Sequence, residues 1–254
     1  MHDAGHPSAL RLLCVTAHPD DEAGAFGGTL ALYSKRGVET HVVCLTAGAA
    51  ARHRGGVGSD EELMQLRRHE FEASCARLNV LKGEVLNYPD GKLISTDATS
   101  VVRDLVQRIR VIRPQVLLTF GPDGGLTGHP DHAMAGVFAS LAFQWVGRPD
   151  RFPEQLSPMV APYHVQKLYF HTAFFSLPDR SPVALPTIST SIEIGTLVDA
   201  KIAAFRKHTT QAPLFERFEN FARQNGSHEH FHLANTSRPM RVQAETDLFA
   251  GVIP

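Results

Sequence analysis

The sequence predicts an α/β protein with a doubly wound, mostly parallel sheet and helices on both faces. Short apolar runs, each long enough for a buried strand, occur at residues 10–16, 40–46 and 115–120. The segments between these runs carry apolar residues at helical spacing. A strand, a helix and a strand of these lengths form a βαβ unit, which implies parallel pairing with a right-handed crossover.

The first strand, residues 10–16, leads through a turn containing Pro19 into a helix predicted over residues 23–36. Acidic side chains lie where that helix begins, and the positive end of a helix dipole favours them there. Gly27 and Gly28 lie inside the predicted helix, where glycine lowers helix propensity. Such a pair is typical of close packing on a sheet or of the close approach of a loop.

The rest of the chain continues the alternation of strands and helices and becomes less regular after residue 147. Helices are predicted over residues 61–78, 96–113, 132–145, 197–208 and 214–224, and strands over 83–87, 166–171 and 187–194. A loop over 47–60, rich in Gly, Ala and Arg, follows the second strand at the edge where parallel sheets bind ligands. We expect a mobile lid there, with a connection of no function as the alternative. The tail over 231–254 has no clear pattern.

The composition excludes several classes of protein. The net charge of −1 argues against a general binder of nucleic acid or of anionic membranes. No apolar run approaches the ~18 residues of a membrane helix, and the N-terminus lacks a signal-peptide pattern, so we expect a cytoplasmic protein. The 254 residues fit one domain, with a core over about residues 10–145 and C-terminal extensions over about 146–254.

The cysteines and most of the histidines are expected to have no chemical role. Cys14, Cys44 and Cys75 are odd in number and widely spaced, which indicates buried thiols and not disulfides or a zinc–sulfur site. The chain has 14 histidines, whereas one metal site uses only two or three. The segment His228–His232 could bind metal weakly, but we expect a solvated loop or the edge of a strand.

Two polar segments, each following an apolar run, carry the predicted chemistry: residues 17–22 and residues 128–132. Histidine and carboxylate are ordinary zinc ligands, and a catalytic zinc keeps three protein ligands and one open position. His18 and Asp21 are three residues apart across a turn that enters a helix, so both can face one ion. His132, at the start of a second helix, can supply the third ligand.

This assignment leaves Asp20 and His129 close to the ion without being ligands, which is what a hydrolase of amides needs. A bound metal lowers the pKa of water from ~15.7 toward 7, and a carboxylate takes the proton. A histidine then stabilises the oxyanion or protonates the leaving amine. Asp131 is expected to orient His129 and to raise its pKa. The alternative is that the acids only cap a helix and His129 is an ordinary loop residue.

The two segments resemble the signature motifs of the LmbE-like/PIG-L family of zinc-dependent N-deacetylases. The motifs are Ala17-His18-Pro19-Asp20-Asp21-Glu22, followed by Gly27-Gly28-Thr29, and Gly128-His129-Pro130-Asp131-His132. Supporting similarities are Arg67-Arg68-His69-Glu70-Phe71, Tyr88-Pro89-Asp90-Gly91, Ile112-Arg113-Pro114 and Lys201-x-x-Ala204-x-x-x-His208-x-x-Gln211. The resemblance covers most of the chain, and the first two motifs are highly specific.

The resemblance implies a Rossmann-like fold and the removal of an N-acyl group from a small amino-sugar conjugate. It implies one zinc ion, with another divalent ion such as Fe²⁺ as the alternative, and a homo-oligomer. The implied metal ligands are His18, Asp21 and His132. Asp20 would be the general base, and His129, modulated by Asp131, would stabilise the oxyanion or act as general acid.

The resemblance also places Arg67 and Asp90 at positions that contact the sugar, with an ion pair between Arg67 and Glu70 as an equal alternative. Two departures from the family pattern bear on substrate contacts. Leu126 and Thr127 occupy the region where some relatives carry an assisting tyrosine, and Gly48-Ala49 stands where many have Gly-Glu. Neither departure affects the predicted metal ligands.

The leading hypothesis is a zinc N-deacetylase that acts on a small molecule containing N-acetylglucosamine. An amidase that cleaves a larger thiol-sugar S-conjugate would use the same residues. A more distant alternative is a non-catalytic module that binds a metal or a nucleotide on a Rossmann-like sheet. Nucleotide binding needs a Gly-rich turn after the first strand, where this chain is acidic. A protein that only binds metal would lack a base such as Asp20.

Overall fold

The computed structural model describes residues 9–177, 183–241 and 243–254. The strands are β1 (Arg11–Thr16), β2 (Glu39–Thr46), β3 (Lys82–Tyr88), β4 (Val116–Phe120), β5 (Lys167–Thr172), β6 (Thr190–Glu193) and β7 (His228–Thr236). The helices are α1 (Asp21–Gly24), α2 (Gly27–Lys35), α3 (Asp60–Arg77), α4 (Ala98–Ile112), α5 (Pro130–Trp145), α6 (Val198–Phe205) and α7 (Phe215–Asn225). Short 3₁₀ segments include Leu93–Ser95, Gly125–Thr127 and Thr209–Leu214.

Within the described residues, the strands form one seven-stranded sheet in the order β3-β2-β1-β4-β5-β7-β6. The strands from β3 to β5 pair in parallel, and β7 runs antiparallel to both β5 and β6. The predicted α/β fold with a mostly parallel sheet is therefore confirmed. The chain moves outward from β1 to β3 and then crosses to the other side of β1 with β4. The loops after β1 and β4 consequently diverge, which opens a crevice at the carboxyl edge of the sheet.

A hydrophobic core lies on each face of the sheet. Helices α2, α3 and α6 cover one face, with Phe26, Phe71 and Phe205 among the packed side chains. Helices α4 and α5 cover the other face, with Leu105 and Phe138. The three cysteines are buried free thiols, as predicted. No helix in the described part of the chain combines the length and the apolar character needed to cross a bilayer.

Local sequence signals explain where the helices that carry the site begin. The Ser59 hydroxyl accepts a hydrogen bond from the Glu62 N–H, and the Glu62 carboxylate accepts one from the Ser59 N–H, so a capping box starts α3. Pro130 occupies the first turn of α5, where its missing N–H costs nothing. His129 is then the residue that caps α5, and His132 lies in the first turn.

The helix predicted over residues 23–36 is in fact two helices, α1 and α2, separated at Ala25 and Phe26. The carboxylate of Glu229 on β7 accepts hydrogen bonds from the N–H groups of Gly28 (2.9 Å) and Thr29 (2.8 Å). Lys201 of α6 pairs with the same carboxylate at 2.7 Å. A buried anion at these N–H groups stabilises a new helix start at this point. The partner lies about two hundred residues away in the chain, so helical spacing alone did not reveal the break.

The expectation of a solvated loop or strand edge at His228–His232 is wrong. These residues belong to β7, which lies inside the sheet between β5 and β6. Glu229 and Phe231 are buried on one face, and the three histidines point to the other because side chains alternate along a strand. Among the described residues, the groups with metal-ligand geometry do not include these histidines.

Close packing explains Gly28, as its position in a helix suggested. A Cβ atom at this residue would lie 2.8 Å from the Ile194 Cβ, beside the end of β6. At Gly24 a Cβ would lie 3.7 Å from the Phe205 ring, which is an ordinary contact. The two glycines therefore differ in their tolerance of a methyl group, although both are helical.

We expect Gly28→Ala to lower the free energy of unfolding by about 1–3 kcal/mol, because overpacking outweighs the gain in helix propensity. Gly24→Ala is the matched control and should leave stability unchanged or raise it by up to ~1 kcal/mol. Urea unfolding of the two variants and of Gly28→Ala combined with Ile194→Ala measures the effect. The loss caused by Gly28→Ala should be smaller in the Ile194→Ala background than in wild type, as a double-mutant cycle would show. Equal stability of the two single variants would contradict the packing argument.

Candidate metal centre

The two polar segments meet at the carboxyl edge of the sheet, beside the crevice between β1 and β4. His18 and Asp21 lie in the turn after β1 and the first turn of α1, and His132 lies in the first turn of α5. Each of these three residues is only 8% exposed. Sequence positions more than a hundred residues apart are thus brought together by the pairing of β1 with β4.

The Asp21 carboxylate lies between the two imidazoles. Its Oδ1 is 3.0 Å from the His132 Nε2, and its Oδ2 is 3.6 Å from the His18 Nδ1. Oδ2 also accepts the backbone N–H groups of Ala17 (3.1 Å) and His18 (2.8 Å). Burial raises the pKa of Asp21, but His132 and His18 outweigh burial and hold that pKa well below its usual value. The carboxylate is therefore ionised, as a metal ligand must be.

His18 also faces two further carboxylates. Its Nε2 is 3.1 Å from the Asp90 Oδ1 and 3.3 Å from the Asp131 Oδ2. Burial lowers the pKa of His18, but Asp131, Asp21 and Asp90 together raise it well above its usual value. The Asp90 carboxylate is held in turn by the Ala50 N–H at 2.7 Å, so the loop over 47–60 contacts the site through this residue.

The histidine rings of the site are packed together. The His129 ring centroid lies 4.8 Å from that of His18 and 5.1 Å from that of His132. One nitrogen from each of His18, His129 and His132 lies within 4.8 Å of the others, and the same holds for ligand atoms of His18, Asp90 and Asp131. The donor chemistry fits a divalent cation, because imidazole and carboxylate are the usual ligands of zinc and related metals.

The contact between Asp131 and the His129 ring is made by the Asp131 backbone. The Asp131 N–H donates to the His129 Nδ1 at 3.1 Å. Its carboxylate instead accepts the N–H groups of Gly91 (2.7 Å) and Leu93 (3.1 Å). Burial, with the positive charges of His18 and His132, lowers the pKa of His129. The negative charge of Asp131 raises this pKa, as predicted, but burial and the two histidines outweigh that contribution.

Asp20 has an unusual backbone and a buried ionic partner. Its φ is 116°, in the left-handed region. Its Oδ2 accepts a hydrogen bond from the Arg67 Nη2 at 2.9 Å. Burial raises the pKa of Asp20, Arg67 lowers it and Asp21 raises it, with a net rise to about 6. Among the described residues, Asp20 belongs to neither group with metal-ligand geometry, although it directly precedes Asp21.

Arg67 is 3% exposed and makes only internal contacts among those described. Its Nη2 donates to the Pro19 carbonyl as well as to Asp20, and its Nη1 donates to the Gly48 carbonyl at 3.0 Å. The alternative ion pair with Glu70 is not formed, because the Glu70 carboxylate accepts hydrogen bonds from Thr209 and Thr210. The contacts of Arg67 and Asp90 with a sugar stay predictions.

Three residues near the site were not assigned a role from the sequence. Phe120, at the end of β4, stacks on the His132 ring with centroids 4.1 Å apart, and the Thr127 hydroxyl lies 3.3 Å from the His132 Nδ1. His208 lies in the C-terminal extension, and its Nε2 is 2.6 Å from the Glu22 Oε1. In the sequence, His208 was indicated only by one of the weaker motifs that resemble the family. Its partner, Glu22, could not be inferred from residue spacing.

Comparison with known proteins identifies a consistent set of relatives. A family model described as PIG-L, GlcNAc-PI de-N-acetylase, matches residues 13–143. A 1D-myo-inositol 2-acetamido-2-deoxy-alpha-D-glucopyranoside deacetylase 2 of Catenulispora acidiphila is 30% identical, with 95% of this chain and 97% of the relative covered. A mycothiol S-conjugate amidase of Streptomyces coelicolor is 31% identical over 65% of this chain and 61% of the relative.

A solved structure supports the same relationship. The N,N'-diacetylchitobiose deacetylase of Pyrococcus horikoshii superposes with a TM-score of 0.74 at 26% identity. The superposition covers 91% of this chain and 87% of that one. The Catenulispora acidiphila relative covers 95% of this chain and the solved structure covers 91%, so the similarity extends beyond the two motifs.

We expect Zn²⁺ to raise the melting temperature of the metal-free protein, because an ion that binds only the folded state stabilises it by about 2.7 kcal/mol at a hundred times its Kd. His18→Ala should abolish the rise, since His18 belongs to both groups with ligand geometry. His228→Ala, on the exposed face of β7, is the control and should keep it. Thermal unfolding followed by circular dichroism measures the shift. An undiminished rise in His18→Ala would place the ion elsewhere.

Proposed function

The chain belongs to the GlcNAc-PI de-N-acetylase (PIG-L) family, and on that premise we propose that it is a zinc-dependent hydrolase that removes the acetyl group from a small N-acetylglucosamine conjugate. The observation that supports this most strongly is the convergence of His18, Asp21 and His132 beside a carboxylate, Asp20, that is bonded elsewhere. A ligand set and a separate carboxylate are the two components that hydrolysis of an amide requires.

We assign the metal to His18, Asp21 and His132. A bound zinc ion would supply Lewis-acid polarisation of the amide carbonyl and a lowered pKa for water. Asp21 is held by two backbone N–H groups, and His132 is held by Phe120 and Thr127, so the protein fixes both side chains. The group of His18, His129 and His132 is the competing ligand set, because one nitrogen from each lies within 4.8 Å of the others, whereas among the described residues Asp21 belongs to neither group with this geometry.

Asp20 is assigned as the general base. Arg67 holds its carboxylate at 2.9 Å, outside the proposed ligand set, and leaves it able to accept a proton from water. His129 is assigned as the donor to the developing oxyanion. Its Nδ1 accepts the Asp131 N–H, so in the neutral ring the proton lies on Nε2. A doubly protonated ring would lose that bond to the backbone, which favours hydrogen-bond donation over general-acid catalysis.

The substrate class is inferred from the relatives. The Catenulispora acidiphila protein is named for the deacetylation of a glucosamine-inositol compound, and 95% of this chain aligns with it. We propose a 2-acetamido-2-deoxyglucoside with a polar aglycone as substrate. Cleavage of a mycothiol S-conjugate is the alternative, supported by the Streptomyces coelicolor relative over a shorter alignment. A homo-oligomeric state and a cytoplasmic location stay predictions.

An assay of amine release on three compounds distinguishes the proposed deacetylase from the alternative amidase. The zinc-loaded protein is incubated with 1D-myo-inositol 2-acetamido-2-deoxy-α-D-glucopyranoside, with N,N'-diacetylchitobiose and with a mycothiol S-conjugate, each with and without chelator. The proposal requires chelator-sensitive release of acetate and the highest kcat/KM on the inositol compound. The highest kcat/KM on the S-conjugate would support the amidase.

We expect Asp20→Asn to retain zinc and to lower kcat by ~10²–10⁴-fold, because the amide cannot accept the proton while its shape and its contact with Arg67 are kept. Elemental analysis and steady-state kinetics on the inositol compound measure the two effects. Asp150→Asn, at an exposed carboxylate, is the matched control and should behave as wild type. Near-normal turnover of Asp20→Asn would remove Asp20 from the mechanism.

The competing ligand sets are separated by zinc content. We expect Asp21→Asn and His132→Ala to lose the metal, whereas His129→Gln should retain it and lower kcat by ~10²–10³-fold through the loss of an oxyanion donor. Zinc per protein is measured by elemental analysis after gel filtration. If Asp21→Asn retained zinc and His129→Gln lost it, the result would instead support binding of zinc by His18, His129 and His132.

A further inference from the structure

The backbone conformation of Asp20 needs support from its surroundings. A φ of 116° is unfavourable for a residue with a side chain, because the Cβ atom crowds the backbone. Such conformations persist only where the neighbouring structure determines them. The direction of the Asp20 carboxylate depends on this backbone angle, so whatever holds the backbone also sets the position of the carboxylate.

Glu22 supplies that support. Its Oε2 accepts the Asp20 N–H at 3.0 Å. The Asp20 carbonyl accepts the N–H groups of Ala23 (3.2 Å) and Gly24 (2.8 Å), which are the first bonds of α1. The N–H and the carbonyl of Asp20 are therefore both bonded, and only the bond to the N–H comes from a side chain.

Glu22 is itself held by two donors from distant parts of the chain. Its Oε1 accepts the His208 Nε2 at 2.6 Å and the Ser74 hydroxyl at 2.5 Å. Glu22 and His208 are both 0% exposed. A buried carboxylate takes the orientation in which its oxygens are satisfied, since an unpaired one is strongly disfavoured. His208 and Ser74 thus hold one oxygen of Glu22, and the other oxygen is the one that accepts the Asp20 N–H.

His208 is well placed for this because the segment that follows it is anchored. The Thr209 hydroxyl, and the Thr210 N–H and hydroxyl, donate to the Glu70 carboxylate on α3 at 2.6–2.7 Å. These bonds fix the segment but reach neither Glu22 nor Asp20. A variant that lacks one of these bonds therefore serves as a control, because it weakens the anchoring of the segment without removing a contact of Glu22 or Asp20.

We infer that His208 is a positioning residue for hydrolysis, which orients Glu22 so that Glu22 fixes the backbone of Asp20 and aims its carboxylate. The inference rests on the proposed function, in which Asp20 is the base. It makes the C-terminal extension part of the catalytic apparatus. A role in folding alone would affect stability without a selective effect on kcat.

Kinetics of His208→Leu, His208→Gln and Thr210→Val test the inference on the zinc-loaded protein with the inositol compound. Leucine fills the site without a donor, whereas the glutamine amide can donate to Glu22 as the His208 Nε2 does. We expect His208→Leu to retain zinc and KM while kcat falls ~10–10²-fold. His208→Gln should recover kcat to within a few-fold of wild type. Thr210→Val, which removes one anchor bond to Glu70, should keep the wild-type kcat.

A second measurement requires no substrate. Amide hydrogen exchange of the Asp20 N–H, followed by NMR of ¹⁵N-labelled protein, should accelerate at least ~10-fold in His208→Leu and stay slow in His208→Gln and Thr210→Val. Ser74→Ala, which removes the other donor to the same oxygen, should change exchange and kcat in the same direction. It provides the test if His208→Leu does not fold.

The outcomes separate the two proposals. A wild-type protein that releases no acetate from the panel would count against the proposed function, and the exchange data would still decide whether His208 controls Asp20. Unchanged exchange at Asp20 in His208→Leu, or in Ser74→Ala if His208→Leu does not fold, would overturn the positioning role. So would a loss of kcat that His208→Gln does not restore, or an equal loss in Thr210→Val.

Discussion

The rest of the candidate site depends on the contacts of one buried group, the Asp21 carboxylate. One of its oxygens faces the His132 Nε2, and the other accepts the N–H groups at the end of β1 and lies near His18. It therefore joins the turn after β1 to the start of α5. A buried carboxylate is stable only with such partners, so the two polar segments are held together by the same group that we assign to the metal.

Three consecutive acidic residues are each held by a different part of the chain. Asp20 pairs with Arg67 of α3, Asp21 contacts His132 of α5, and Glu22 accepts from His208 in the C-terminal extension. The short α1 is thereby tied to both faces of the sheet and to the extension. One turn of chain therefore carries the carboxylate that we assign to the metal and the one that we assign as the base, each with its own partners.

Much of the fold and the location of the site could be predicted from the sequence. Strands and helices with strong local patterns, such as α3 and α4, have nearly the predicted bounds, and the two motifs lie at adjacent strand ends as expected. The errors share one cause. The break before Gly27 depends on Glu229, and the interior place of β7 depends on pairing with β5 and β6. The N–H groups of Gly91 and Leu93 that bind the Asp131 carboxylate likewise come from a distant segment.

The sequence by itself determined the alternation of strands and helices, the two polar motifs and the chemical types available to a metal, because these depend on local spacing and residue type. Only the tertiary structure decided which group meets which. It paired Arg67 with Asp20 and not Glu70, and it brought His208 to Glu22 across 186 residues. Such contacts depend on how the sheet and the helices pack against one another, and the spacing of residues along the chain does not determine that packing.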